Sequence, residues 1–203
     1  METTRWWWLR HAPVLHQDGC IYGHMDVEID LSDAGLLARI AGELPEAPVF
    51  LSSPVARARN TLDALCRVGG LDAGPVEAVD DLAEQNFGNW QGRHYDEIFA
   101  DMPIDAWDKP ASMRPPDGED FEQMTARVGR AIDGLTERFA GRDIVIVAHA
   151  GTIRAAIAKA RSITPDKALA IGIDTLSLTR IDAVGAPGGT WQVVYINKLL
   201  EAV

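Results

Sequence analysis

The chain has 203 residues, with 19 Lys and Arg against 30 Asp and Glu, a net charge of −11 at pH 7 and 47% hydrophobic residues. That length suits one domain with a sizeable core, and the acidic balance excludes a nucleic-acid binder relying on a basic surface while leaving room for a small anion site with a locally positive floor. No apolar run nears the roughly 20 residues of a membrane span, and Cys20 and Cys66 offer neither a disulfide framework nor a zinc spacing, so a soluble protein of the reducing cytoplasm is expected.

Residues 5–9 are short, aromatic and stopped by Arg10, His11, Ala12 and Pro13, which predicts a buried strand feeding a loop. Ser32 reads as the N-cap of a helix carrying Leu36, Leu37, Ile40, Ala41 and Leu44 at helical spacing, ended by Pro45. Val49, Phe50 and Leu51 make a second buried strand. Ser53 followed by Pro54 reads as an N-cap with proline at the first helical position, ahead of the apolar stripe Ala58, Leu62, Leu65 and Cys66 and a stop at Gly69 and Gly70. Residues 76–82 read as a third strand and residues 84–92 as a polar, glycine-punctuated loop with aromatic anchors. Pro103, Pro110, Pro115 and Pro116 make residues 102–118 irregular, and residues 86–118 as a whole read as a lid over a site. Phe121, Met124, Val128, Ile132, Leu135 and Phe139 then mark one face of a long amphipathic helix. Ile144, Val145, Ile146 and Val147 form the continuous apolar run of a strand covered on both faces, and residues 151–161 resume a helix. Leu176 and Leu178 alternate with polar neighbours, and after a turn at residues 185–189 the run 191–196 reads as a hairpin partner. Alternating strands and helices followed by a hairpin predict an α/β fold: a three-layer α/β/α sandwich on a mostly parallel mixed sheet, in a single domain over residues 1–203.

His11 and His149 each fall at the C-terminal end of a predicted buried strand, followed by small residues. Open α/β sheets bind ligands at that edge, where helix N-termini offer free N–H groups to anions. Either histidine alone reads equally well as a hydrogen-bonded residue of a strand-end turn. Together, with Arg10, Arg57 and Arg154 at the same edge, they point to an anion site. Arg59 lies on a different helix face from Arg57 and reads as solvated surface. His16, His24 and His94 read as polar loop residues, and Trp6, Trp7 and Trp8 as core and strand-face residues.

Four strings follow one another in the chain: Leu9-Arg10-His11-Ala12; Ser52-Ser53-Pro54-Val55-Ala56-Arg57-Ala58 with Thr61; Leu82-Ala83-Glu84 with Phe87-Gly88-Asn89-Trp90-Gln91-Gly92; and Val147-Ala148-His149-Ala150-Gly151 with Ile153-Arg154. In this order, joined by Leu31-Ser32 to Gly35 and by Gly118-Glu119 before the long helix, they resemble the histidine phosphatase superfamily, the phosphoglycerate mutase-like group, over most of the chain. The resemblance implies a phosphomonoester hydrolase working through phosphohistidine. His11 would be the nucleophile, since a neutral imidazole has a ring nitrogen free to attack phosphorus. Arg10 and Arg57 would grip the phosphoryl oxygens and His149 would hydrogen-bond the transferring group, the electrostatic help that phosphoryl transfer mainly needs. Glu84 would protonate the leaving oxygen and then activate water. Gln17 stands where many members have a phosphate-binding Asn, Tyr22 and Gly23 fall on the substrate loop, and Thr152 would offer its backbone N–H. The catalysis implied needs no metal and no cofactor: the positive charge comes from arginine and histidine, and no ligand cluster such as HExxH is present.

The chain departs from the family at Ala12, where a glycine is usual, at Ala150, where a glycine is common, and at Pro13, which has no N–H and replaces the acidic residue common in mutases. With few cations between Gly92 and Gly118, that favours a phosphatase over a mutase. Cys20-Ile21-Tyr22-Gly23 with Asp26, and Trp191-Gln192-Val193-Val194 with Asn197, look most like the α-ribazole phosphatase branch, which serves cobalamin biosynthesis. A phosphoglycerate mutase or sugar-phosphate phosphatase is the alternative within the superfamily. A non-catalytic phosphate-binding regulator is the alternative of another class, and the retained Glu84 weighs against it because binding alone needs no proton donor. The implied partner is a small phosphorylated substrate, with neither nucleic acid nor membrane, and the oligomeric state stays open.

Overall fold

The alternation of the first strand decides which residues face which layer. Strand β1 (Thr3–Arg10) sends Trp6 and Trp8 to one face of the sheet and Trp7 and Leu9 to the other. The computed structural model describes residues 2–16, 19–100, 102–185 and 189–200, with the backbone alone at 104 and 105. In chain order the remaining elements are α1 (Ala34–Glu43), β2 (Val49–Ser52), α2 (Ala56–Gly69), β3 (Glu77–Ala78), α3 (Tyr95–Ala100), α4 (Phe121–Arg138), β4 (Asp143–Ala148), α5 (Ala150–Arg161), α6 (Pro165–Leu169), β5 (Leu178–Val184) and β6 (Thr190–Lys198).

These strands form one six-stranded sheet in the order β3-β2-β4-β1-β5-β6. Pairing is parallel from β3 through β1 and antiparallel at β5 and β6. On one face Trp6, Trp8, Ile144 and Ile146 pack with Met124, Val128 and Ile132 of α4 and Ile153 and Ile157 of α5. On the other, Leu9, Val145 and Val147 pack with Leu37 and Ile40 of α1 and Leu62 and Leu65 of α2. Helices on both faces are why β4 carries no alternation of polar and apolar residues. The three-layer α/β/α sandwich on a mostly parallel mixed sheet is therefore present, and the tryptophans are core and strand-face residues: Trp6 stacks on Trp8 at 5.2 Å, while Trp7 lies under the Arg180 guanidinium.

Several local expectations are corrected. Helix α1 is capped by Asp33 rather than Ser32, its carboxylate accepting the Leu36 N–H at 2.7 Å. Helix α2 starts at Ala56 after Val55, so Ser53 is not its cap and Pro54 lies outside it. The third strand holds two residues instead of residues 76–82, because the Val79 N–H to Ser52 is followed by a 3-10 turn at Asp80–Leu82. Leu176 lies outside β5 at φ 56°. Helices α3 and α6 were not anticipated, although Thr164 before Pro165 caps α6 in a standard way. Residues 86–118 carry α3 and 3-10 turns at Gly88–Trp90, Ile104–Asp108 and Pro110–Ser112. No helix among the described residues is long and apolar enough to cross a membrane.

Candidate active site

Three parallel strands end side by side, and the residue after each is polar: His11 after β1, Ser53 after β2 and His149 after β4. The backbone ties them together, with the His11 N–H donating to Ala148 at 3.0 Å and the Ser53 N–H to Val147 at 3.0 Å. The imidazoles of His11 and His149 lie 5.2 Å apart, centre to centre. Residue Arg57, in the first turn of α2, donates its terminal nitrogens to the carbonyls of Gly23 at 2.6 Å and Met25 at 3.3 Å and lies over the Tyr22 ring. Arg10 donates to the Ile173 carbonyl at 2.6 Å. Thr61 locks this floor: its hydroxyl donates to the Arg57 carbonyl at 2.7 Å and accepts the Ala12 N–H at 3.0 Å.

Protonation follows from these contacts. His11 Nδ1 is 2.7 Å from the Ala12 carbonyl, which can only accept, so Nδ1 carries the proton and Nε2 keeps its lone pair. Burial, reinforced by the guanidinium charges of Arg57 and Arg10 and opposed by that hydrogen bond, pushes the His11 pKa down to about 3. Burial and then Arg57 hold His149 well below the ordinary histidine value, so both rings are neutral at pH 7. His149 Nε2 lies 2.7 Å from Ser53 Oγ, which already accepts the Val55 N–H at 3.3 Å. The Ser53 hydroxyl can donate to Nε2 while it accepts from Val55, and in that tautomer the His149 proton is on Nδ1. Six buried side-chain atoms among the described residues have no hydrogen-bond partner: Trp8 Nε1, Arg39 Nε and Tyr195 Oη elsewhere in the fold, and His149 Nδ1, Arg10 Nε and Arg57 Nε at this site. Buried donors are almost always satisfied, and three unsatisfied ones around a single imidazole are the complement of an anion.

Glu84 follows the Asp80–Leu82 turn. Its carboxylate accepts the N–H of Gln85 at 2.9 Å and of Gly151 at 3.3 Å, in the first turn of α5. A side chain at Gly151 would collide with the Glu84 carboxylate, so glycine is required there for the approach. Arg127 of α4 clamps the same segment, donating to the carbonyls of Asp81, Ala83 and Glu84 while its Nε donates to Glu119 at 3.0 Å. His24 Nε2 adds a second donor to the Glu84 carbonyl at 2.6 Å. Above this floor lies a cavity of about 420 Å³. Arg10, Tyr22, Gly23, Glu84, Gly151 and Arg154 line its lower part, and Phe87, Trp90, Tyr95, Phe99, Trp107 and Phe121 are the rings of its walls. Arg154 donates to the Ile171 carbonyl at 2.8 Å; burial lowers its pKa and Glu84 opposes that.

The model of the Histidine phosphatase superfamily (branch 1) matches residues 6–198. The chain belongs to this superfamily. It is 33% identical over 123 residues to the Bifunctional protein Rv2228c of Mycobacterium tuberculosis, an alignment covering 60% of this chain and 32% of that one, so the chain spans about a third of the length of this relative. Among solved structures, the mycobacterial glucosyl-3-phosphoglycerate phosphatase Rv2419c superposes with a TM-score of 0.80 at 25% identity, covering 96% of this chain and 99% of that one. The α-ribazole phosphatase of Shigella flexneri shares the fold, with a TM-score of 0.80 at 23% identity over 98% of both chains.

In this histidine phosphatase fold, Arg10, His11, Arg57, Glu84 and His149 converge, with Tyr22 and Gly23 beside them. Gln17 lies outside the described residues. Thr152 is fully buried and turns its hydroxyl to the carbonyls of Leu82 and Ala83, tying α5 to the Glu84 segment. Sequence reasoning did not single out Ser53 as the partner of His149, Arg127 as the clamp of Glu84, His24 as its second support, or Tyr95, Phe99 and Trp107 of the aromatic walls. Only the Ser53 and Glu84 strings hinted at them, by placing the neighbours of both residues at strand ends.

Proposed function

We propose that the chain hydrolyses phosphomonoesters through a phosphohistidine on His11, without a metal. What carries the reading is the set of buried, unpartnered donors, Arg10 Nε, Arg57 Nε and His149 Nδ1, around a neutral imidazole whose Nε2 lone pair is free. A phosphoryl group seated there receives charged hydrogen bonds from both guanidinium groups and one from His149 Nδ1. His11 Nε2 attacks phosphorus, the bond to the ester oxygen breaks, and Glu84 hands that oxygen a proton. Water then attacks the phosphohistidine as Glu84 takes its proton, releasing phosphate and restoring the neutral ring. The arginines neutralise the charge that a metal would otherwise meet. Residues 86–118 act as the lid of a single catalytic domain, and α-ribazole 5'-phosphate is the narrower substrate reading, resting on the substrate-loop and terminal-hairpin strings.

The test is hydrolysis of p-nitrophenyl phosphate in EDTA. Release of phosphate that disappears in His11→Ala supports the proposal. A requirement for an added divalent ion contradicts the metal-free mechanism, and net isomerisation of 3-phosphoglycerate outrunning phosphate release makes the chain a mutase.

A further inference from the structure

The walls of the cavity differ in chemistry from its floor. Above Glu84 the lining is Phe87, Trp90, Tyr95, Phe99, Trp107 and Phe121, rings drawn from four separate stretches of chain. Tyr95 meets Phe99 at 5.5 Å and Phe99 meets Trp107 edge-on at 4.8 Å. Yet these three remain 42%, 38% and 43% exposed, large apolar surfaces held to water at a cavity mouth. Charge in the cavity beyond Arg10 is confined to Glu84 and Arg154, one of each sign and each within the other's field. In the proposed mechanism Glu84 enters carrying the proton it gives away, so the charge it faces a substrate with is small, and Arg154 Nε is already given to the Ile171 carbonyl. The uncharged polar atoms of the lining sit at the edges of its rings, on Tyr22, Trp90, Tyr95 and Trp107, while the Gln85 amide N–H is given to the Glu119 carbonyl at 2.8 Å.

From this we infer that the cavity selects phosphate monoesters whose leaving group carries a flat aromatic body, taken up against Phe99 and Trp107. The inference rests on the phosphomonoesterase reading and deepens it. Aromatic rings stack on or meet one another edge-on, and covering exposed rings removes apolar surface from water, so the leaving group completes the wall. A phosphoglycerate or a hexose phosphate would instead leave these rings in water.

The experiment compares esters with similar alkyl leaving oxygens, so that chemistry is held constant: 2-phenylethyl and 3-phenylpropyl phosphate against glycerol 3-phosphate, 3-phosphoglycerate and glucose 6-phosphate. The better arylalkyl ester is expected to exceed 3-phosphoglycerate and glucose 6-phosphate by about 100-fold in kcat/KM, about 2.7 kcal/mol. Phe99→Ala and Trp107→Ala should each shrink its advantage over glycerol 3-phosphate by about tenfold. A ratio to either polar substrate under about tenfold overturns the inference. Binding of 3-phenylpropylphosphonate and propylphosphonate, read by tryptophan fluorescence, separates the two readings. If no ester turns over, the phosphomonoesterase reading falls, and the phosphonates decide: tighter binding of the aryl compound, lost in Trp107→Ala, upholds aromatic selection, and equal affinities overturn it.

Discussion

Beneath the cavity, behind its lining residues Arg10, Gly23 and Glu84, His11, Arg57 and His149 form a floor 1%, 1% and 0% exposed, while at its mouth Tyr95, Phe99 and Trp107 keep about two-fifths of their surface in water. The floor stands on the ends of three adjacent parallel strands, cross-tied by backbone bonds, and its buried polar atoms without a partner among the described residues are His149 Nδ1, Arg10 Nε and Arg57 Nε. The mouth stands on a six-residue helix and short 3-10 turns. Chemistry that must be held still is placed where backbone is densest, and discrimination among leaving groups is placed where substitution costs the fold little.

The sharpest way to break this contrast is at Arg57. Arg57→Lys keeps the charge and loses the planar fork, and kcat/KM should fall by about 10²–10³-fold, as when one preorganised donor to a transition-state oxyanion is removed. Steady-state phosphate release measures it, and a loss under tenfold would mean that charge alone suffices.

Next comes pH. In the unfolded chain each histidine takes up its proton near 6.5, whereas folded His11 does so only near 3 and folded His149 well below 6.5. Between these values the unfolded state holds more protons, so stability is full above pH 6.5 and is lost as pH falls through the window from 6.5 to about 3. At about 1.4 kcal/mol per unit, His11 alone accounts for roughly 2–3 kcal/mol by pH 4.5. Urea midpoints at pH 7 and 4.5 read the loss, and His11→Gln should flatten the profile by a similar amount. An identical slope in that variant would contradict the buried, neutral ring.

Arg127 links floor to mouth. Arg127→Met leaves the half-buried Glu119 without its cation and the Asp81 carbonyl without its side-chain donor, while Ala83 and Glu84 keep Thr152 and His24, for an expected loss of about 2 kcal/mol in urea denaturation. A smaller fall in kcat should accompany it as the Glu84 segment loosens. At the mouth, Trp107→Ala should change stability by no more than about 0.5 kcal/mol, the usual bound for an exposed position.

The floor was legible in the sequence because its residues sit beside the strands that carry them: Arg10 and His11 end the first apolar run, and His149 ends the most hydrophobic one, β4. Strand β4 itself was readable because a strand covered on both faces has no polar alternation to mistake. Ser53 was misread because a serine before proline has the same local appearance whether it caps a helix or faces a histidine across the sheet. Arg127 gave no signal, as the carbonyls it holds lie 43 to 46 residues away. The third strand was overextended because Val76 and Val79 suit a strand, whereas Asp80 and Asp81 turn the chain away after two paired residues. Tyr95, Phe99 and Trp107 escaped notice for a related reason: the i,i+4 pair Tyr95 and Phe99 spans a single turn, too short to show a period, and Trp107 stands apart from it in a segment whose short elements are set by tertiary packing.

The central claim is that His11 attacks through Nε2 because Nδ1 is tied to the Ala12 carbonyl. Glu84→Gln given p-nitrophenyl phosphate, whose leaving group needs no proton, still cannot activate water and should accumulate the phosphoenzyme, and phosphorus NMR of the base-stabilised protein with peptide mapping should find the phosphoryl group on His11, bonded to Nε2. Phosphorylation at Nδ1, at His149 or on a carboxylate would contradict the account.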